Sequence, residues 1–161
     1  MVNMQKITPF LWFDDKAEEA VNLYISVFKN SRIVNTTHYL DDVPGPKGKV
    51  MSITFELEGQ EFMALNGGGG VFTFSGAISF FVKCQTQDEI DQLWKNLSSD
   101  PKAEQCGWCK DKYGVYWQII PTILGEMLND PNTEKVKKVT QAMLQMKKID
   151  IEGLKQAYDQ A

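Results

Sequence analysis

Histidine is almost missing from this sequence: His38 stands alone among 161 residues. A metal centre built on imidazole ligands needs two or three, so any such centre here would have to draw on other donors. Cysteine is scarce too. Cys84, Cys106 and Cys109 are an odd three, which does not make a disulfide framework and agrees with a reducing compartment. No apolar run approaches the roughly 20 residues that cross a bilayer, and the opening MVNMQKITPFLWF lacks the apolar core and small-residue cleavage site of a secretory leader. These absences predict a cytoplasmic protein without a membrane partner. No basic cluster is present, and with a formal net charge of -4 and a pI near 5.0 the chain offers nothing to a nucleic acid.

The composition is otherwise that of a soluble globular domain, 43% apolar and 24% charged, and the length is enough to bury a real core. The stretch Cys106 to Pro121, CGWCKDKYGVYWQIIP, carries the strongest local pattern: a polar turn, Gly114, then aromatic and branched residues stopped by a proline. It predicts a turn feeding a buried strand. Strand alternation puts Trp117 and Ile119 on one face and Tyr116, Gln118 and Ile120 on the other. Gln118 is then a polar group in apolar company that needs a partner.

Read in order, Ile7 to Phe13 predicts a strand with an edge or bulge at Pro9. Asp14 or Asp15 can cap a helix whose buried face is Ala17, Ala20, Val21, Tyr24, Val27 and Phe28. Arg32 to Leu40, Val50 to Leu57 and Glu61 to Asn66 read as three further strands, the last two joined by a hairpin turn at Glu58-Gly59-Gln60. NGGGG, residues 66–70, interrupts the pattern and reads as a flexible bridge, because no helix follows it as a phosphate loop requires.

The same order then restarts. Ala77 to Lys83 is an apolar strand, Thr86 or Gln87 begins a helix with Ile90, Leu93, Trp94 and Leu97 on one face, and Glu104 to Lys110 leads into Val115 to Ile120. This second copy is one strand short, or holds one that the pattern does not reveal. A repeat of this spacing implies two related halves. Beyond it, Thr122 to Leu128, a segment after an Asp130-Pro131 cap, and one after Asp150 predict a helical tail.

With the repeats and the CGWCKDKYGVYWQIIP stretch established, the chain resembles the PhnB-like, or demethylubiquinone methyltransferase-like, family of the vicinal oxygen chelate superfamily, which includes glyoxalases, bleomycin-resistance proteins and dioxygenases. The likeness runs through PFLWFDDKAEEAVNLY, GPKGKVMSITFELEGQEFMALNGG, AISFFVKC and the tail to MKKIDIEGL. It implies an α+β fold of two βαβββ modules, about 5–66 and 76–121, whose curved sheets form a cleft. Residues 1–121 would hold the modules, and 122–161 a helical extension of the same domain.

The superfamily's metal enzymes take His, Gln and Glu ligands from first and last strands. Here the corresponding places fall on Pro9, on Ala77 or Ser79, near Met63 to Asn66, and on Gln118. Neutral amides from Asn66 and Gln118 do not make a catalytic metal site, so the expectation is no metal and no cofactor. The expected cleft residues are Trp12, His38, Asn66, Trp108 and Gln118, with His38 the candidate general base. The CxxC at Cys106 and Cys109 reads as a buried structural pair, since a strand and not a helix follows. The functional expectation is a homodimeric small-molecule binding protein. A metal-dependent lyase or dioxygenase-like enzyme is the alternative, and a methyltransferase, as the family label suggests, stands third.

Overall fold

A computed structural model describes residues 4–161, in which seven strands and five α-helices divide between two compact units, Met1–Thr73 and Phe74–Ala161. The helical tail belongs to the second unit.

The first unit is a βαβββ module: β1 (Phe10–Phe13), α1 (Ala17–Val27), β2 (Arg32–His38), β3 (Val50–Leu57) and β4 (Gln60–Asn66). Its sheet has the order β1-β4-β3-β2, parallel between β1 and β4 and antiparallel elsewhere. Pro9 lies just before β1 and not within it; its carbonyl accepts Met63 N at 2.9 Å, so the ring's missing donor costs the ladder nothing. Glu58 and Gly59 both take positive φ, 49° and 77°, which gives the two-residue turn that matches strand twist. Leu11, Phe13, Ile53, Phe55, Leu57, Phe62 and Ala64 point to one side and pack with Ala17, Ala20, Val21 and Tyr24 of α1. Each large apolar side chain buried there stabilises the unit by about 1.5–3 kcal/mol.

The start of α1 differs from the sequence expectation. Lys16, not Asp14 or Asp15, holds the N-cap position and gives no side-chain cap. Asn66 Oδ1 accepts Ala17 N at 2.9 Å instead, so the first orphan donor of the helix is met from the end of β4.

In the second unit the order is β5 (Phe80–Cys84), α2 (Gln87–Leu97), β6 (Trp108–Lys110) and β7 (Tyr116–Pro121), paired as β5-β7-β6. Among the described residues no fourth strand joins this sheet. Its place is taken by a short 3-10 turn, Pro101–Ala103, and an isolated bridge between Gln105 and Trp108. Thr86 caps α2 as expected, its hydroxyl accepting Glu89 N.

The tail forms α3 (Thr122–Leu128), α4 (Thr133–Leu144) and α5 (Ile151–Asp159). Asn132, rather than Asp130, caps α4, and Asp150 caps α5. Leu124, Met127, Val139, Ile149 and Leu154 close over Ile120 in a core of their own. Ile120 shares the face of Tyr116 and Gln118, so the tail covers the C-terminal end of that face. The tail is tied down by backbone bonds as well: Cys106 N donates to Met146 O and Gly107 N to Lys147 O.

Candidate functional site

Each sheet has one face buried by its helix and one face that is only half-buried. In the second unit, register sets Phe81, Gln118 and Trp108 in one row on the open face, with Tyr116 and Lys110 in the next. Phe81 is 55% exposed, and Trp108, Gln118 and Tyr116 are half-buried. The amide of Gln118 therefore sits between two aromatic side chains. Its Nε2 donates to Ser79 Oγ at 2.9 Å, the partner that its apolar setting demands. This single bond leaves Oε1, the second Nε2 hydrogen and the Ser79 hydroxyl hydrogen for another molecule.

Lys110 supplies the positive charge at this face. Asp100 holds its Nζ at 2.6 Å, and the hydrogen bond keeps the Lys110 ammonium above its ordinary pKa and the Asp100 carboxyl below its own. The ammonium lies 5.9 Å from the centre of the Tyr116 ring, within cation–π range.

On the open face of the first unit, Trp12, Leu65, Ser52 and Thr37 form one row, and Phe10, Met63, Thr54 and Asn35 the next. The β1 and β4 half is apolar. The β2 and β3 half is hydroxylic, with Thr37 Oγ1 and Ser52 Oγ 2.7 Å apart.

The five sequence-predicted residues thus separate. Trp108 and Gln118 are neighbours on one open face, and Trp12 lies on that of the other unit. His38 is exposed at the end of edge strand β2, past a bulge, and among the described residues its side chain makes no hydrogen bond or ion pair. No carboxylate orients it as a general base is usually oriented. Asn66 pairs with Phe13 on the helix-facing side of its sheet. Its Oδ1 is committed to Ala17 N, its Nδ2 to Val50 O at 3.1 Å, and its carbonyl to the Tyr39 hydroxyl at 2.6 Å. Phe81 was not among the expected cleft residues, and Ser79 was weighed only as a place for a metal ligand; the parallel register of β5 on β7 sets Phe81 beside Gln118, and the amide's hydrogen bond does the same for Ser79.

Two cofactors implied by the resemblance can be tested against these donors. For a divalent metal, Pro9 and Ala77 have no donor atom, Asn66 is spent within its unit, and Ser79 and Gln118 are neutral and bonded to each other. Among the described residues no three His, Cys, Asp or Glu side chains gather. That donor set does not fit a catalytic divalent ion. For a nucleotide-type methyl donor, the glycine run would have to offer free amides ahead of a helix. Instead Gly67 N donates to Phe13 O, Gly68 N to Asp14 O and Gly70 N to Asp14 Oδ1. The run expected as a flexible bridge is fastened to the end of β1.

The CxxC reading also changes. Gln105 and Trp108 exchange backbone bonds around Cys106 and Gly107, whose φ values of 50° and 84° make a tight two-residue turn. Cys109 is buried as expected, but Cys106 is half-buried at the turn. Burial pushes the Cys109 thiol up to about 12, with Asp111 and Glu104 adding to it. This is the reverse of what a redox thiol needs.

A strand-helix-strand order run twice, with a helical tail, is the mixed α+β architecture of the vicinal oxygen chelate proteins. The chain belongs to the PhnB-like family, whose profile, described as 3-demethylubiquinone-9 3-methyltransferase, matches residues 5–120. A PhnB protein of Bacillus cereus with that same provisional description is 43% identical, over 73% of this chain and 100% of its own, with a TM-score of 0.64. Protein PA1353 of Pseudomonas aeruginosa shares the fold at 19% identity, with a TM-score of 0.54 over 73% of this chain and 98% of that one. None of the curated proteins matches the chain. No helix among the described residues is long and apolar enough to cross a membrane.

Proposed function

We propose that the chain is a metal-independent small-molecule binding protein, acting as a homodimer, whose guest is oriented by Gln118 between Phe81 and Trp108. The observation that carries this reading is the half-satisfied amide of Gln118 in an aromatic row. Ligand sites are mostly apolar with a few placed polar groups, and this row has that composition. Stacking on Phe81 and Trp108 would supply affinity, while the amide and the Ser79 hydroxyl would fix orientation.

The test is calorimetry on chelator-treated protein, with nickel, zinc, manganese and iron(II) in turn, followed by native mass spectrometry for a co-purifying organic molecule. The expected result is no saturable metal site and a bound mass that Gln118→Ala releases. One metal per chain, lost in Gln118→Ala, would replace this reading with the metal-dependent lyase or dioxygenase. His38→Ala is expected to leave binding unchanged. Sedimentation as a monomer at micromolar concentration would remove the dimer, and saturable binding of S-adenosylmethionine would restore the methyltransferase.

A further inference from the structure

Among the described residues one buried side-chain polar atom has no hydrogen-bond partner: Nε1 of Trp12. Such a group is rare, because a donor taken out of water without an acceptor carries its full desolvation cost. Two groups of its own unit pack against the ring. One side of the indole lies against Gly67, where an added Cβ would come within 2.1 Å of the ring, so only glycine fits there. The edge of Phe72 meets it too, at 5.2 Å between centroids and 86° between planes.

Phe72 is an odd cover. It is 62% exposed, and its neighbour Val71 is 64% exposed, so the segment that shields Trp12 leaves its own apolar surface in water. It follows Gly68, Gly69 and Gly70, all at positive φ, and its nearest fastening is the exposed bond from Gly70 N to Asp14 Oδ1 at 3.1 Å. Beside Trp12 on the same face lie the apolar Phe10, Met63 and Leu65, with the Ser52 and Thr37 hydroxyls further along the row.

We infer that Trp12 is a second binding site, in the first unit, closed by Phe72 acting as a stand-in for the guest. Its ligand is an aromatic or apolar molecule bearing an acceptor oxygen. The ring of the ligand displaces Phe72 from the indole, and the oxygen accepts the Nε1 hydrogen that the described residues leave without a partner. Gly67 and Gly68 stay fastened to the end of β1, so only the exposed Gly70 bond has to open for the segment beyond it to lift, and β4, whose end is held by Asn66, is not disturbed. The site stands on residues other than Gln118 and does not depend on the reading given above.

The probe is anilinonaphthalene sulfonate, which combines aromatic rings with acceptor oxygens, titrated by its fluorescence into the intact protein. Trp12→Phe keeps a ring and removes the N–H. It is expected to weaken binding about fivefold to tenfold, the size of one net hydrogen bond. Phe72→Ala removes the competing occupant and is expected to tighten binding about threefold or more. Gln118→Ala is expected to leave the dye affinity as it is. Unchanged affinity in Trp12→Phe, or unchanged or weaker affinity in Phe72→Ala, would overturn the inference, as would equal loss in Gln118→Ala.

Discussion

Trp117 Nε1 donates to Asp111 Oδ2 at 2.9 Å, and both residues are 2% exposed. The other oxygen of Asp111 accepts Tyr113 N and Val115 N at 2.9 and 3.1 Å. One carboxylate therefore closes the turn before β7 and fixes the indole that anchors the buried face of β7. Asp111→Ala removes the carboxylate that three buried or part-buried donors share and is expected to cost about 3 kcal/mol or more. Urea unfolding checks this, and Asp111→Asn should fall between the two.

Asn66 holds the end of β4 to the start of α1 and to β3. Asn66→Ala removes the remote cap and the Val50 bond together, with an expected loss of about 2 kcal/mol. Thermal unfolding should show the change. If stability held and only ligand affinity fell, Asn66 would be a contact residue after all.

The three thiols should separate by reactivity. Burial pushes both Cys84 and Cys109 up to about 12, with Glu89 adding to the effect at Cys84. Cys106 is half-buried at its turn. One thiol per native chain should react quickly with a disulfide reagent at neutral pH, and all three in denaturant. A Cys106–Cys109 disulfide in the native protein would contradict the turn geometry.

Tyr158 donates a short hydrogen bond to Asp130, linking α5 to the loop before α4. The bond holds the Asp130 carboxyl below its ordinary value and the Tyr158 hydroxyl above its own. A lowered carboxyl stabilises above its unfolded pKa, and that stability is lost as pH falls through the folded value. A raised phenol stabilises below its unfolded pKa, and that stability is lost as pH rises through the folded one. The melting temperature of Tyr158→Phe should thus lie below the parent across the neutral range and converge with it in strong acid and in alkali. A constant difference at every pH would exclude this pair as the cause.

Much of the fold was legible because side-chain periodicity is a local property. Ala17, Ala20, Val21 and Tyr24 marked the inner face of α1, and Trp117 and Ile119 that of β7, as the structure has them. Caps were harder, since the first amide of α1, Ala17 N, is met by Asn66 from 49 residues away. Asp130 lost its helix to Asn132, which offers its side chain to both Glu134 N and Lys135 N. The site was the least legible part. Asn66 and Gln118 looked alike as isolated amides, and only the register shows that one faces a helix and the other an open sheet.

The clasp of Cys106 and Gly107 on Met146 and Lys147 gives the chain an order of completion. As a ribosome extrudes it, β7 is finished long before Ile149 and Leu154 can reach Ile120. Until they arrive, the nascent second unit leaves the apolar end of β7 at Ile120 without its cover, the kind of surface that makes a part-folded chain prone to aggregate.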